Sequence, residues 1–311
     1  MDVADTKLQN LKLKSWNSSI TDADFSNRIG ILGASSLVGE CLLPMLVKIN
    51  WHVTAYSRKA VAEDKKIHWQ RLPQCTTQLE DETTPFWICV APIWVLPDYF
   101  ELLEKQRVRR LVVLSSTSRF TKNDSTDMEE QAIARKLTDA EEQLRKWAEN
   151  RGVEWVILRP TLIYGFGRDK NIAEIARFIR RFGFFPLFGK ANGLRQPIHI
   201  EDVAGACLSA LQAPCAANRA YNISGGETLS YREMIVRIFS ALNLRPRIFP
   251  VPFWIFRLAI TLLRRIPRYR KWSTAMAERM NQDLVFDHSE ASRDFGFKPK
   301  NFELLTTDLP T

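Results

Sequence analysis

The sequence predicts an α/β protein, a doubly wound parallel sheet followed by a small C-terminal α/β lobe. Three observations predict it. From Arg28 to about Arg159, short apolar runs alternate with longer amphipathic stretches, the pattern of repeated β-α units. A glycine-rich turn, Gly30-Ile31-Leu32-Gly33-Ala34-Ser35-Ser36-Leu37-Val38-Gly39, separates the first run from the first stretch. After Arg159-Pro160 the pattern loosens, with Arg and Phe clustered between Arg177 and Phe188, and there a second lobe begins.

Taken in order, residues 1–27 are polar without a sustained period and read as a flexible extension. Strands are expected at Arg28–Leu32, Trp51–Tyr56, Phe86–Val90, Arg110–Leu114 and Val153–Leu158, all apolar enough to be buried on both faces. Helices are expected at Leu37–Lys48, around Pro97–Lys105 and at Met128–Asn150. Further on, Gln196–Ile200 and Ala220–Ile223 read as strands, and Asp202–Leu211 and Tyr231–Leu242 as helices. The expected division is a core at 28–165 and a lobe at 166–311, with about 195–224 returning to the core.

Composition removes several classes. A chain of 311 residues with 45% hydrophobic and 25% charged residues can bury a sizeable core. Its five cysteines, Cys41, Cys75, Cys89, Cys207 and Cys215, are odd in number and form no CxxC pair, which argues against disulfides and for a reducing cytoplasm. Four scattered histidines and no H-E-x-x-H pattern argue against a metal site. The N-terminus has early acids and no apolar core, so neither a secretion signal nor a membrane span is expected. Phe253–Leu263 is the most apolar stretch, but Arg257 interrupts it and it is too short to span. The net charge of +9 favours an anionic partner such as a nucleotide phosphate or acidic lipid. No nucleic-acid-binding module accompanies that charge, so nucleic acid is not expected.

In the glycine turn, Gly33 permits a tight bend, Gly39 lets the helix pack closely, and the amides near Ser35, Ser36, Leu37 and Val38 would face a pyrophosphate. Ser36 holds the usual middle-glycine position and adds a hydroxyl. A plain strand-to-helix turn is the alternative. At the end of the second strand, Ser57, Arg58 and Lys59 stand where an acidic residue would hold an NAD ribose. They suit a 2′-phosphate, which favours NADP(H) with NAD(H) as second choice; a solvated cation pair is the alternative. Ala91 and Pro92, after the Phe86–Val90 strand, and Ser115 complete the expected cofactor-binding set.

With this turn, Leu114-Ser115-Ser116, Ile157-Leu158-Arg159-Pro160, Ile163-Tyr164-Gly165, Gln196-Pro197-Ile198-His199-Ile200-Glu201-Asp202-Val203-Ala204 and Tyr221-Asn222-Ile223-Ser224-Gly225-Gly226 in sequence, the chain resembles a known family. It is similar to the NAD-dependent epimerase/dehydratase family of extended short-chain dehydrogenases. The resemblance implies a Rossmann-type NAD(P) domain, a small substrate lobe and a nucleotide- or lipid-linked sugar as substrate; a homodimer is compatible with it. It also implies a strand-end Ser or Thr, here Ser116, and a Tyr-x-x-x-Lys whose lysine lowers the phenol's pKa. Lys136 is the candidate lysine, but Ala132 lies four residues before it, and a two-residue shift gives Ala134 and Thr138. No tyrosine occurs between Tyr99 and Tyr164. That departure resembles the atypical branch, whose members often bind NAD(P) without conventional catalysis. Tyr164 is the candidate substitute, against a packing role, and His199 reads as structural. The alternative function is a non-catalytic NADP(H)-binding scaffold, assembly or redox-sensing protein.

The segment from Ile248 to Lys271, IFPVPFWIFRLAITLLRRIPRYRK, leads from apolar residues into a cationic cluster. It reads either as a helix of the lobe or, over 253–271, as a peripheral membrane contact.

Overall fold

The computed structural model describes residues 27–58, 66–72, 83–123, 125–251 and 278–310. Lys59, Cys75, the extension before 27 and the 253–271 segment lie outside the described residues.

Seven strands make one parallel sheet: β1 Arg28–Leu32, β2 His52–Ser57, β3 Ile67–Arg71, β4 Phe86–Cys89, β5 Arg110–Leu114, β6 Glu154–Pro160 and β11 Arg219–Ile223. Their order is β11-β6-β5-β4-β1-β2-β3, reversing direction of growth between β1 and β4. A ligand crevice lies at such a reversal, beyond the strands' carboxyl ends. β4 and β5 are buried along their whole length, which is why their sequences FWIC and RLVVL carry so few polar residues.

Helices cover both faces. α1, Leu37–Lys48, packs on one face beside a later helix, Ile200–Gln212, while α2, Phe100–Lys105, lies on the other with a 3₁₀ helix, Ile93–Tyr99. α3 is a single turn, Ser118–Thr121, and α4, Met128–Arg151, is the long helix of the second face. Asp127 caps α4 by accepting from the Glu129 amide, and Gly152 ends it at φ 64°.

Most of the remaining elements build the lobe around a second core containing Ile172, Ile179, Leu187, Ile235, Phe239 and Phe302. They are β7 Ile163–Tyr164, α5 Ile172–Phe182, β8 Phe185–Phe188, β9 Leu194–Arg195, β12 Leu229–Ser230, α7 Tyr231–Ala241 and β13 Ile248–Val251, whereas β10 Ile198–His199, α6 Ile200–Gln212 and α8 Ser289–Phe295 bury their apolar residues in the core of the sheet.

The expected elements at Arg28–Leu32, Leu37–Lys48 and Arg110–Leu114 form with those bounds. Gln196–Ile200 is shorter than expected, because His199 caps α6 and Ile200 is already helical. α5 sits in the stretch whose pattern loosens: its apolar stripe is real, but Arg and Phe crowd its last turn. No helix among the described residues is long and apolar enough to cross a membrane.

Candidate functional site

At the end of β1 the chain turns sharply into α1. Gly33 has φ 82°, and a Cβ there would lie 2.5 Å from the Ala91 amide nitrogen. Only glycine fits, because both the left-handed backbone and the chain leaving β4 forbid a side chain. A Cβ on Gly39 would likewise meet the Ala34 carbonyl oxygen at 2.4 Å, so helix and turn are in close contact. Ser36 caps α1: its amide donates to the Gly33 carbonyl (2.9 Å), and its Oγ accepts from the Gly39 amide (3.1 Å). Among the described residues, the Leu37 and Val38 amides have no acceptor. The positive end of α1 thus presents two unsatisfied donors at the sheet's crevice, the chemistry that holds a phosphate.

The neighbouring strand end divides its expected binders. Ser57 is buried, with its Oγ 3.5 Å from Ser35 Oγ, so it faces the glycine turn. Arg58 is exposed. It is close enough to Tyr99 to pull that phenol down, although burial first and then Asp98 leave Tyr99 above its ordinary value. Pro92 opens the 3₁₀ helix, its carbonyl accepting from the Val95 amide (3.0 Å).

The end of β5, where acid/base residues are expected, is built quite differently. Ser115 Oγ donates to Glu141 (2.5 Å), which is 1% exposed; Arg159 reaches the same carboxylate from Nη2 (2.6 Å) and Nε (3.1 Å), and Arg119 pairs with it as well. Both guanidinium groups stand over the Phe120 ring, at 5.1 and 5.3 Å from its centroid. Ser116 Oγ accepts from the Ser118 amide (3.1 Å), and the Thr117 amide and Oγ1 both donate to the Pro160 carbonyl (3.1 Å each).

α4 turns Glu130, Ala134, Leu137, Ala140, Glu141, Leu144 and Ala148 inward, the 3.6-residue stripe of a packed helix. Lys136 and Ala132 are exposed on the opposite side, so the candidate lysine does not face the sheet. In the shifted register Ala134 is buried, while Thr138 is exposed and donates back to the Ala134 carbonyl (3.1 Å). Ile133 and Leu137 pack into the core beneath this face. Neither register brings a phenol to the inward surface.

Tyr164 is 2% exposed, donates to the Glu303 carbonyl (3.3 Å) and meets the rings of His199 and Phe302 edge-on. Burial, followed by the Asp308 charge, pushes its phenol well above the ordinary tyrosine range. His199 accepts from the Glu201 amide at Nδ1 (3.3 Å), which puts its proton on Nε2, 3.1 Å from Asp308 Oδ1. Both residues hold the lobe together.

Several side chains at this junction carry no sequence motif. Lys122, just past α3, is partly buried; burial and then Arg279 lower its amine. Arg279 pairs with Glu130 of α4, and its carbonyl accepts from Arg195, which is buried over the Tyr231 ring. Glu141 did leave one signal, a carboxylate inside an apolar helical stripe, and a buried charge requires partners.

A parallel sheet of this order with a glycine turn after β1 is a Rossmann-like fold, and a sequence model of the NAD dependent epimerase/dehydratase family matches residues 98–224. Over those residues the chain is similar to that family. Among curated proteins it is similar to a UDP-glucose 4-epimerase of Vibrio cholerae, 27% identical over 162 residues, covering 52% of this chain and 47% of the relative. The match thus spans about half the length of that relative. Among solved structures, the epimerase Mth375 of Methanothermobacter thermautotrophicus superimposes with a TM-score of 0.71 at 13% identity, covering 96% of this chain and 92% of the other. A UDP-glucuronic acid 4-epimerase of Bacillus cereus, solved in complex with NAD, gives a TM-score of 0.65 at 14% identity, covering 90% and 93%. At those identities the solved structures establish the fold.

Proposed function

We propose that this chain binds a nicotinamide dinucleotide across the carboxyl ends of β1, β2 and β4, with NADP(H) preferred to NAD(H). On this reading it is an epimerase-, dehydratase- or reductase-like protein of nucleotide- or lipid-linked sugars. One observation carries it: the Gly33 turn lies so close to Ala91 that no side chain fits, and it leaves the Leu37 and Val38 amides open at the positive end of α1. A diphosphate fits that cradle. The Bacillus cereus structure in complex with NAD and the UDP-glucose 4-epimerase of Vibrio cholerae support the cofactor and substrate classes.

Bound there, the nicotinamide supplies reversible hydride transfer. The chain's own residues would do the rest. Leu37 and Val38 amides, with Ser35, hold the diphosphate, and Arg58 takes the 2′-phosphate. Ser115 is committed to Glu141, whereas Ser116 accepts one amide and keeps its own proton to donate to a substrate oxygen. A serine hydroxyl is a poor acid/base by itself, and Tyr164 is held as a neutral phenol by its burial. Turnover on this reading is slow.

The second reading, a non-catalytic NADP(H)-binding scaffold, assembly or redox-sensing protein, is favoured by the inward face of α4, which offers Ile133, Ala134 and Leu137 where the family's chemistry needs a phenol and an ammonium.

Isothermal calorimetry with NADPH and NADH tests the first step, and sugar-nucleotide turnover separates the two readings. NADPH should bind more tightly, and Arg58→Ala should narrow the difference by about 1–3 kcal/mol. Equal affinity for both nucleotides in the wild type would refute the Arg58 assignment. Turnover at ordinary enzymatic rates of about 1–1,000 s⁻¹, unchanged in Tyr164→Phe, would refute the reading of the acid/base region.

A further inference from the structure

Between Met234 and Ala277 the sequence has nine Arg and Lys and no Asp or Glu, as many positive charges as the whole chain's net +9. Outside that stretch the protein is neutral overall. The charge is therefore concentrated, and the described part of the stretch shows what it borders.

α7 ends at Ala241, and the chain then runs exposed from Asn243 to Arg247 before pairing β13 with β8. On this surface Phe249 is 55% and Phe182 50% exposed. The two are joined by a chain of ring contacts: Phe184 meets Phe249 at 5.4 Å and Phe178 at 5.9 Å, and Phe178 meets Phe182 at 4.6 Å. Isolated exposed apolar side chains are ordinary, but a connected aromatic patch is a contact surface. Arg181 lies over the Phe182 ring at 5.3 Å, and Arg245 and Arg247 stand exposed in the run of chain that leads into Phe249. The nearest carboxylate in sequence, Glu174, is already paired with Arg177.

We propose that this patch, Phe182, Phe184 and Phe249 with Arg181, Arg245 and Arg247, docks on the interface of a membrane carrying acidic lipids. Aromatic rings favour the boundary between headgroups and acyl chains, and arginines carry their stems into it while their charges meet lipid phosphates. Charge complementarity selects the occupant. A second copy of this chain would set six such arginines against one another, whereas an acidic bilayer meets every one of them with an anion. The docking is independent of the nucleotide reading and requires no nucleotide.

Co-sedimentation of the full chain with phosphatidylcholine vesicles, with or without about a third phosphatidylglycerol, and without nucleotide, is the test. The wild type should pellet with the acidic vesicles at low salt, stay in solution with the neutral ones, and be released at about 0.5 M NaCl. Phe182→Ser with Phe249→Ser should lower the partition coefficient at least about tenfold. Arg181→Gln with Arg245→Gln and Arg247→Gln should do the same. All five positions are exposed, so both variants should keep the wild-type melting temperature, which shows that lost binding is not lost folding. Absence of pelleting with acidic vesicles overturns the proposal. So does pelleting of the variants equal to wild type, or a wild-type dimer in ultracentrifugation that the phenylalanine variant dissociates.

Discussion

The glycine turn after β1 and the buried cluster after β5 occupy the same edge of one sheet, two strands apart, and they are built on opposite principles. At the turn the backbone makes the site: Gly33 and Gly39 are defined by what cannot be there, and the binding groups are amides that every residue owns. At the cluster the side chains make it: Glu141 gathers Ser115, Arg119 and Arg159 into a buried ion cluster whose guanidinium groups stand over Phe120. A backbone site survives most substitutions around it, while a side-chain site changes its chemistry when two or three residues change. The proposed nucleotide cradle and the absence of a tyrosine between Tyr99 and Tyr164 are therefore compatible in one chain.

The largest expected effect breaks the second region. Glu141 is 1% exposed and neutralises two guanidinium groups that are 15% and 18% exposed. Glu141→Ala leaves both facing each other in low dielectric, at a cost of about 3–5 kcal/mol. Urea unfolding at neutral pH measures it. A loss below about 1 kcal/mol would mean that water already screens the pair and that the cluster is a surface salt bridge.

The first region should respond less in stability and more in binding. Gly33→Ala places a methyl against the Ala91 backbone at a φ that L residues avoid, an expected cost of about 2–4 kcal/mol. Because the turn must widen to admit it, nucleotide affinity should fall even in the fraction that remains folded. Calorimetry on the folded variant sharpens the comparison: wild-type affinity would show that the cradle is not the nucleotide site.

The same contrast explains what could be read before folding. β1, α1 and β5 were legible to the residue, because buried parallel strands and packed helices each impose a period. The glycine turn was legible as well, since its spacing records a steric requirement. The Glu141 cluster was not, because Ser115, Arg119, Glu141 and Arg159 are distant in sequence and no local pattern joins them. Lys136 misled for a related reason: a lysine at a helical position gives no face until the whole stripe is placed, and Glu130 and Glu141 interrupt that stripe with charge. α5 was obscured by arginines and phenylalanines whose job is at the surface rather than in the core.

The smallest expected effect concerns the lobe, where the C-terminal segment closes on β7 and β10. Asp308 is 2% exposed and accepts from His199 Nε2 (3.1 Å), the Leu305 amide (3.0 Å) and the Phe166 amide (3.3 Å). Burial alone would raise its pKa. The three hydrogen bonds outweigh that, led by His199, and its carboxyl sits below the ordinary 3.8. A carboxyl that is more acidic in the folded chain than in the unfolded one binds fewer protons when folded. Its stabilisation is therefore fully present above the unfolded value and is lost as pH falls through the folded one. Asp308→Asn removes the ionised acceptor and keeps the shape, so at neutral pH it should cost about 1–2 kcal/mol. Between pH 7 and 5 the gap to wild type should stay constant, and below about pH 4 it should shrink as the wild-type carboxylate protonates. Urea midpoints at pH 7, 5 and 3 read it directly; a gap unchanged at pH 3 would show that Asp308 holds the lobe by shape alone, with no contribution from its charge.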